Sequence, residues 1–70
     1  MKLTVNGEAK TIDVTSNITT LEIVINQLGH HPKSIVVEFN GLIVNREQWP
    51  AQMVRDGDNL EVVTIVGGGT

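Results

Sequence analysis

Ser34-Ile35-Val36-Val37-Glu38-Phe39-Asn40-Gly41-Leu42-Ile43-Val44 is the stretch on which the fold turns. Residues 34–39 form the most strand-like run in the chain, rich in β-branched and aromatic side chains that suit a pleated, half-buried surface. Asn40-Gly41 follows, a pair in which both residues tolerate positive φ and so favour a two-residue hairpin turn. Leu42-Ile43-Val44 then returns as a short partner strand. The same grammar occurs upstream, where Lys2-Leu3-Thr4-Val5 alternates into Asn6-Gly7. Alternation resumes over residues 9–14, with Ile12 and Val14 expected on one face.

Between the two hairpins the period changes from two to 3.6. Leu21, Val24, Ile25 and Leu28 follow the i, i+3, i+4, i+7 spacing of a buried helix face. Thr19-Thr20-Leu21-Glu22 fits a capping box with Thr19 as N-cap, and Ile18 and Ile23 stand where a hydrophobic staple would sit. Gly29 is placed to close the helix and Pro32 to prevent its continuation. After the second hairpin, Asn45-Arg46-Glu47-Gln48-Trp49-Pro50 reads as a capped single helical turn stopped by proline. Residues 51–55 cross over, Asp56-Gly57-Asp58 turns, and Leu60 to Val66 forms the last strand.

The order is hairpin, helix, hairpin, crossover, strand. A helix and a sheet each have one apolar face and bury it against the other. A last strand running parallel beside the first would lie centrally under the helix. The expected class is α+β, a mixed sheet of about five strands covering one main helix. Residues 1–66 form the domain, and residues 67–70 a flexible glycine-rich tail.

Seventy residues make one domain. A chain of this size buries only about 60% of the surface its unfolded form exposes, which leaves little room for both a core and a deep catalytic pocket. A carrier or binding module is the expectation, not an enzyme. Hydrophobic content of 40% argues against disorder. The chain has no cysteine, hence no disulfide, thiolate zinc site or thiol nucleophile. No apolar signal segment opens it, and Leu60 to Val66 is too short to cross a bilayer, so the expected location is the cytoplasm. Net charge is −3, and the five basic residues (Lys2, Lys10, Lys33, Arg46, Arg55) are scattered, which speaks against nucleic acid. The chain alone is expected to be a monomer.

His30-His31 invites a metal, but zinc needs three or four ligands and no third is near in sequence; a helix-end pair at the negative end of the dipole is the better account. Asp56 and Asp58 flank a glycine where side-chain to backbone bonds explain them. Trp49, the one tryptophan, either plugs an end of the core or serves as an exposed interface anchor. Gly67-Gly68-Gly69 opens no helix and lacks a following Lys-Ser or Lys-Thr, so it is not a phosphate loop. It reads either as a frayed end or as a tail that passes through something narrow, since glycine lets backbone approach closely. A carboxylate on such an arm can enter an enzyme, be activated as an acyl-adenylate and accept a nucleophile.

Asn40-Gly41-Leu42-Ile43-Val44, then Arg46-Glu47-Gln48-Trp49, then Asp56-Gly57-Asp58 and a strand into Gly68-Gly69 resemble the ThiS sulfur carriers of thiamine biosynthesis, over essentially the whole chain. The turn and tail are common to ubiquitin-like sulfur carriers; Arg46-Glu47-Gln48-Trp49 is the more particular feature. The resemblance implies a ubiquitin-like β-grasp fold. It also implies a terminal glycine carboxylate that is adenylated and converted to a thiocarboxylate, with no cofactor bound by the chain itself. Implied partners are a ThiF-like adenylating enzyme that uses ATP, a cysteine desulfurase pathway that supplies sulfur, and a ThiG-like thiazole synthase that receives it. Gly69 would carry the sulfur, Gly67, Gly68 and Gly69 would enter partner active sites, and Trp49 and Val66 are candidate partner contacts. Thr70 departs from the pattern, which ends in Gly-Gly; its loss would expose Gly69. The alternatives are the small subunit of molybdopterin synthase and a noncovalent or conjugated ubiquitin-like interaction module.

Overall fold

Two Asn-Gly pairs set the two hairpins. In the computed structural model, which describes residues 1–14 and 18–65, Asn6 and Gly7 take φ of 51° and 81°, and Asn40 and Gly41 take 50° and 88°. Positive φ at both central residues matches the right-handed twist of flanking strands, and Asn and Gly reach it at least cost. Strand β1 (Lys2–Val5) thereby pairs antiparallel with β2 (Glu8–Thr11), and β3 (Ile35–Phe39) with β4 (Leu42–Val44).

The last strand, β5 (Asn59–Thr64), runs parallel to β1 and antiparallel to β3, giving the sheet order β2-β1-β5-β3-β4. It is the central strand, as expected. Its inner face carries Leu60 and Val62, both buried, beside Leu3, Val5, Ile35 and Val37 of its neighbours. Across that face lies helix α1 (Leu21–Leu28), which contributes Leu21, Val24 and Ile25, all fully buried. Each such side chain contributes roughly 1.5–3 kcal/mol by leaving water. Gly29 ends the helix in the left-handed region at φ 81°, and its N–H bonds to the Asn26 carbonyl at 3.1 Å.

The helix begins one residue later than the sequence implies. Thr20, not Thr19, is the N-cap, and its side chain accepts from the Ile23 N–H at 3.4 Å. The cause is tertiary: the Val54 N–H donates to the Thr19 carbonyl (2.9 Å), the Leu21 N–H donates to the Gln52 carbonyl (2.8 Å), and Thr20 pairs with Met53 in an isolated antiparallel bridge. That pairing holds Thr20 extended, so the helix cannot include it. Glu22 then falls too early for a capping box, and Ile18 and Ile23 both stay exposed instead of forming a buried staple. Strand β2 likewise stops at Thr11. Ile12 still turns inward, because its backbone exchanges hydrogen bonds with Met1 (2.8 and 3.1 Å), whereas Val14 is exposed.

Residues Arg46–Ala51 form a 3-10 segment with Pro50 inside it, and Asn45 makes no side-chain cap. Trp49 on this segment is 2% exposed and its indole N–H donates to the Val44 carbonyl at 3.0 Å. It closes the end of the core. The Asp56-Gly57-Asp58 turn is tied down on both sides: Asp56 Oδ1 accepts from the Lys2 N–H (2.6 Å), Asp58 Oδ2 from the Arg55 N–H (2.8 Å), and Gly57 donates to the Lys2 carbonyl (2.8 Å). Both carboxylates serve the turn, as their placement implied.

Candidate functional site

The site has two parts, the strand that leads into the tail and the sheet face beside it. Backbone pairing of β5 with β3 is continuous from Phe39↔Leu60 to Ile35↔Thr64, and one further bond, Ile65 N–H to the Ser34 carbonyl at 2.7 Å, carries the pairing beyond the strand. Ile65, the last described residue, is therefore anchored beside the start of β3. Val66 and Gly67, Gly68, Gly69 and Thr70, on which the sequence reading places the chemistry, lie outside the described residues, as does the expected boundary between domain and tail.

The outer face of the sheet is bare of any covering element among the described residues and carries an unusual mixture. Val36 and Val63 stand directly opposite one another, Glu38 stands opposite Glu61, and Ile43 of β4 stands opposite Glu38. Val63 is 56% exposed and Ile43 68%. Like charges directly opposite on a sheet are destabilising by a few tenths to about 1 kcal/mol. Neither carboxylate has a cation paired with it among the described residues, where the one recorded ion pair is Lys10–Glu8 on the far edge strand. Apolar side chains around two unneutralised carboxylates make a face suited to a partner that is apolar with basic residues at matching positions.

Trp49 does not belong to this face. Its burial removes the reading of an exposed anchor, and the sequence could not separate that role from the core role because both place a tryptophan on an irregular crossover. His30 and His31 sit just past the helix end, and among the described residues no group of three or more His, Cys, Asp or Glu could hold a metal ion. A shallow cleft of about 260 Å³ is lined by Phe39, Asn40, Gln52, Met53, Arg55 and Asp58. Its amides and carboxylate are engaged in bonds within the fold, including Asn40 Nδ2 to Asp58 Oδ1 (3.2 Å) and Gln52 Nε2 to the Met53 carbonyl (2.9 Å). Sequence reasoning missed the Glu38–Glu61 pair; the alternation around residues 36, 38, 61 and 63 put each on one face, but only the register sets them opposite.

A five-stranded mixed sheet of this order grasping one helix defines a ubiquitin-like β-grasp protein. The chain belongs to the ThiS family, whose model matches residues 3–69. It is 32% identical over 50 residues to the sulfur carrier protein ThiS of Escherichia coli, covering 71% of this chain and 76% of that one. It is 36% identical over its full 70 residues to a thiazole synthase of Paramagnetospirillum magneticum, of which it spans 21%. The crystal structure of the thiamine biosynthesis protein ThiS from Geobacter metallireducens superposes with a TM-score of 0.81 at 34% identity, covering 99% of this chain and all of that one.

Proposed function

We propose that the chain carries sulfur on the main-chain carboxyl group of Gly69, exposed by loss of Thr70. A carboxylate oxygen of Gly69 attacks the α-phosphorus of ATP held by an adenylating enzyme, and pyrophosphate leaves. The outer sulfur of a persulfide formed by a cysteine desulfurase then attacks the acyl carbon and displaces AMP. A thiol cleaves the resulting acyl disulfide, is itself oxidised to a disulfide, and leaves the thiocarboxylate on Gly69. That group delivers its sulfur to a thiazole synthase. The chain contributes no acid, base or nucleophilic side chain to these steps, and ATP belongs to the activating partner. It is a protein cosubstrate, not an enzyme, and works in the cytoplasm.

The observation that carries this reading is the family match, which runs through Gly67, Gly68 and Gly69 and leaves Thr70 outside. Physical chemistry supports it in two ways. Three residues without Cβ let the backbone pass a narrow channel, whereas Thr70 is β-branched and stiff. The outer sheet face, with Val36, Ile43 and Val63 around Glu38 and Glu61, offers the partners a handle beside the tail. The similarity to the thiazole synthase of Paramagnetospirillum magneticum favours the thiazole pathway over the molybdopterin one.

The test compares two chains, one ending at Gly69 and one ending at Thr70, in ATP-dependent pyrophosphate release by the adenylating enzyme. The chain ending at Gly69 is expected to support release and the chain ending at Thr70 to be inert. Equal rates would remove Gly69 as the site, and no release from either would remove the carrier reading.

A further inference from the structure

On one flank β5 is paired with β3 along its whole length, but on the other its backbone pairing with β1 is short, Thr4↔Asn59 and Val5↔Leu60. Beyond Val5 the chain turns away through Asn6-Gly7, so among the described residues the tail-side half of β5 has no strand on that flank. The Asn6 side chain takes the strand's place. Its Oδ1 accepts from the Val62 N–H at 2.7 Å and its Nδ2 donates to the Val62 carbonyl at 3.2 Å, a partly buried pair spanning 56 residues of sequence. The Asn6 backbone N–H also donates to the Leu60 carbonyl at 2.9 Å. One turn residue therefore supplies three bonds to the strand that leads into the tail.

We propose that Asn6 is a positioning residue for the tail: its amide acts as an extra ladder rung at Val62, and so steadies the tail-side half of the strand that delivers Gly69 to the adenylating enzyme. This role rests on the carrier reading of Gly69. The residue type is narrowly determined. The turn needs φ of 51°, which Asn adopts more readily than most residues, and the rung needs a donor and an acceptor side by side. Aspartate would keep the acceptor and set a second oxygen against the Val62 carbonyl.

A matched comparison lies at the other end of the same strand. Asn40 occupies the equivalent turn position at φ 50°, and its Oδ1 accepts from the Asn59 N–H at 2.9 Å, away from the tail. Asn6→Gly and Asn40→Gly both keep a residue that accepts positive φ, and each removes one side-chain clamp on β5. Amide hydrogen exchange on the full chain, corrected for each variant's global stability, is expected to quicken at Val62 by about tenfold in Asn6→Gly and not in Asn40→Gly, in line with the loss of a hydrogen-bonded pair. In chains ending at Gly69, kcat/KM for adenylation is expected to fall about tenfold in Asn6→Gly and by no more than about twofold in Asn40→Gly. Asn6→Asp, which keeps the volume and the turn, should reproduce the Asn6→Gly result. Equal Val62 exchange in the two glycine variants overturns the proposal, as does faster exchange with no difference in kcat/KM. If the unsubstituted chain ending at Gly69 is not adenylated, the carrier reading and the tail-presenting role fall together, while the exchange comparison still judges the clamp.

Discussion

Trp49→Ala is expected to leave the domain substantially unfolded at 37 °C. Truncating a buried tryptophan costs about 3–5 kcal/mol, and a domain of this length has on the order of 4–10 kcal/mol in total. Trp49 is 2% exposed at the end of the core, and little else there can collapse into the space, because Val44 and Pro50 are held by β4 and the 3-10 segment. The Val44 carbonyl also loses its donor. Trp49→Phe is the milder truncation: it keeps one six-membered ring in the core and loses the pyrrole part with its N–H, for a cost of about 1–3 kcal/mol. Urea denaturation followed by circular dichroism measures both. A Trp49→Ala chain that keeps its midpoint but loses partner binding would return Trp49 to the interface and contradict the core role.

The second large effect concerns the tail. Gly68→Val is expected to reduce kcat/KM for adenylation on the order of 100-fold or more, because a β-branched side chain both stiffens the arm and widens it where the reacting carboxylate must reach its position. The unfolding free energy measured in urea should change by less than about 0.5 kcal/mol, the usual range for a substitution outside the core. Loss of activity without loss of stability is the signature of a part that works only when inserted into a partner. A Gly68→Val chain adenylated as fast as the unsubstituted one would mean that the glycines are merely a permissive end.

The elements legible in the sequence are those whose cause is local. Asn6-Gly7 and Asn40-Gly41 specify their turns within two residues, and Leu21, Val24 and Ile25 define a helix face within two turns. The central place of β5 followed from a topological rule, since one strand had to lie between the hairpins and beneath the helix. Two departures from the local pattern have their cause in distant contacts. Thr19 lost the N-cap to Thr20 because Met53, more than thirty positions downstream, pairs with Thr20 and keeps it extended. Val14 followed the alternation of β2 on paper, but β2 ends when Ile12 pairs with Met1. The Glu38–Glu61 opposition and the Asn6–Val62 pair depend on register across the sheet, which no local pattern encodes. Of the candidate site, the outer sheet face required the fold, because register alone sets its residues opposite one another.

The central claim is that Gly69 carries sulfur, and intact-mass spectrometry addresses it most directly. The chain ending at Gly69 is incubated with ATP, the adenylating enzyme, a cysteine desulfurase, cysteine and a thiol reductant, then weighed. The expected product has the mass of one oxygen exchanged for one sulfur, localised by fragmentation to the terminal glycine, and it does not form without ATP. An unchanged mass under conditions that convert the Escherichia coli carrier with its own enzymes would contradict the account.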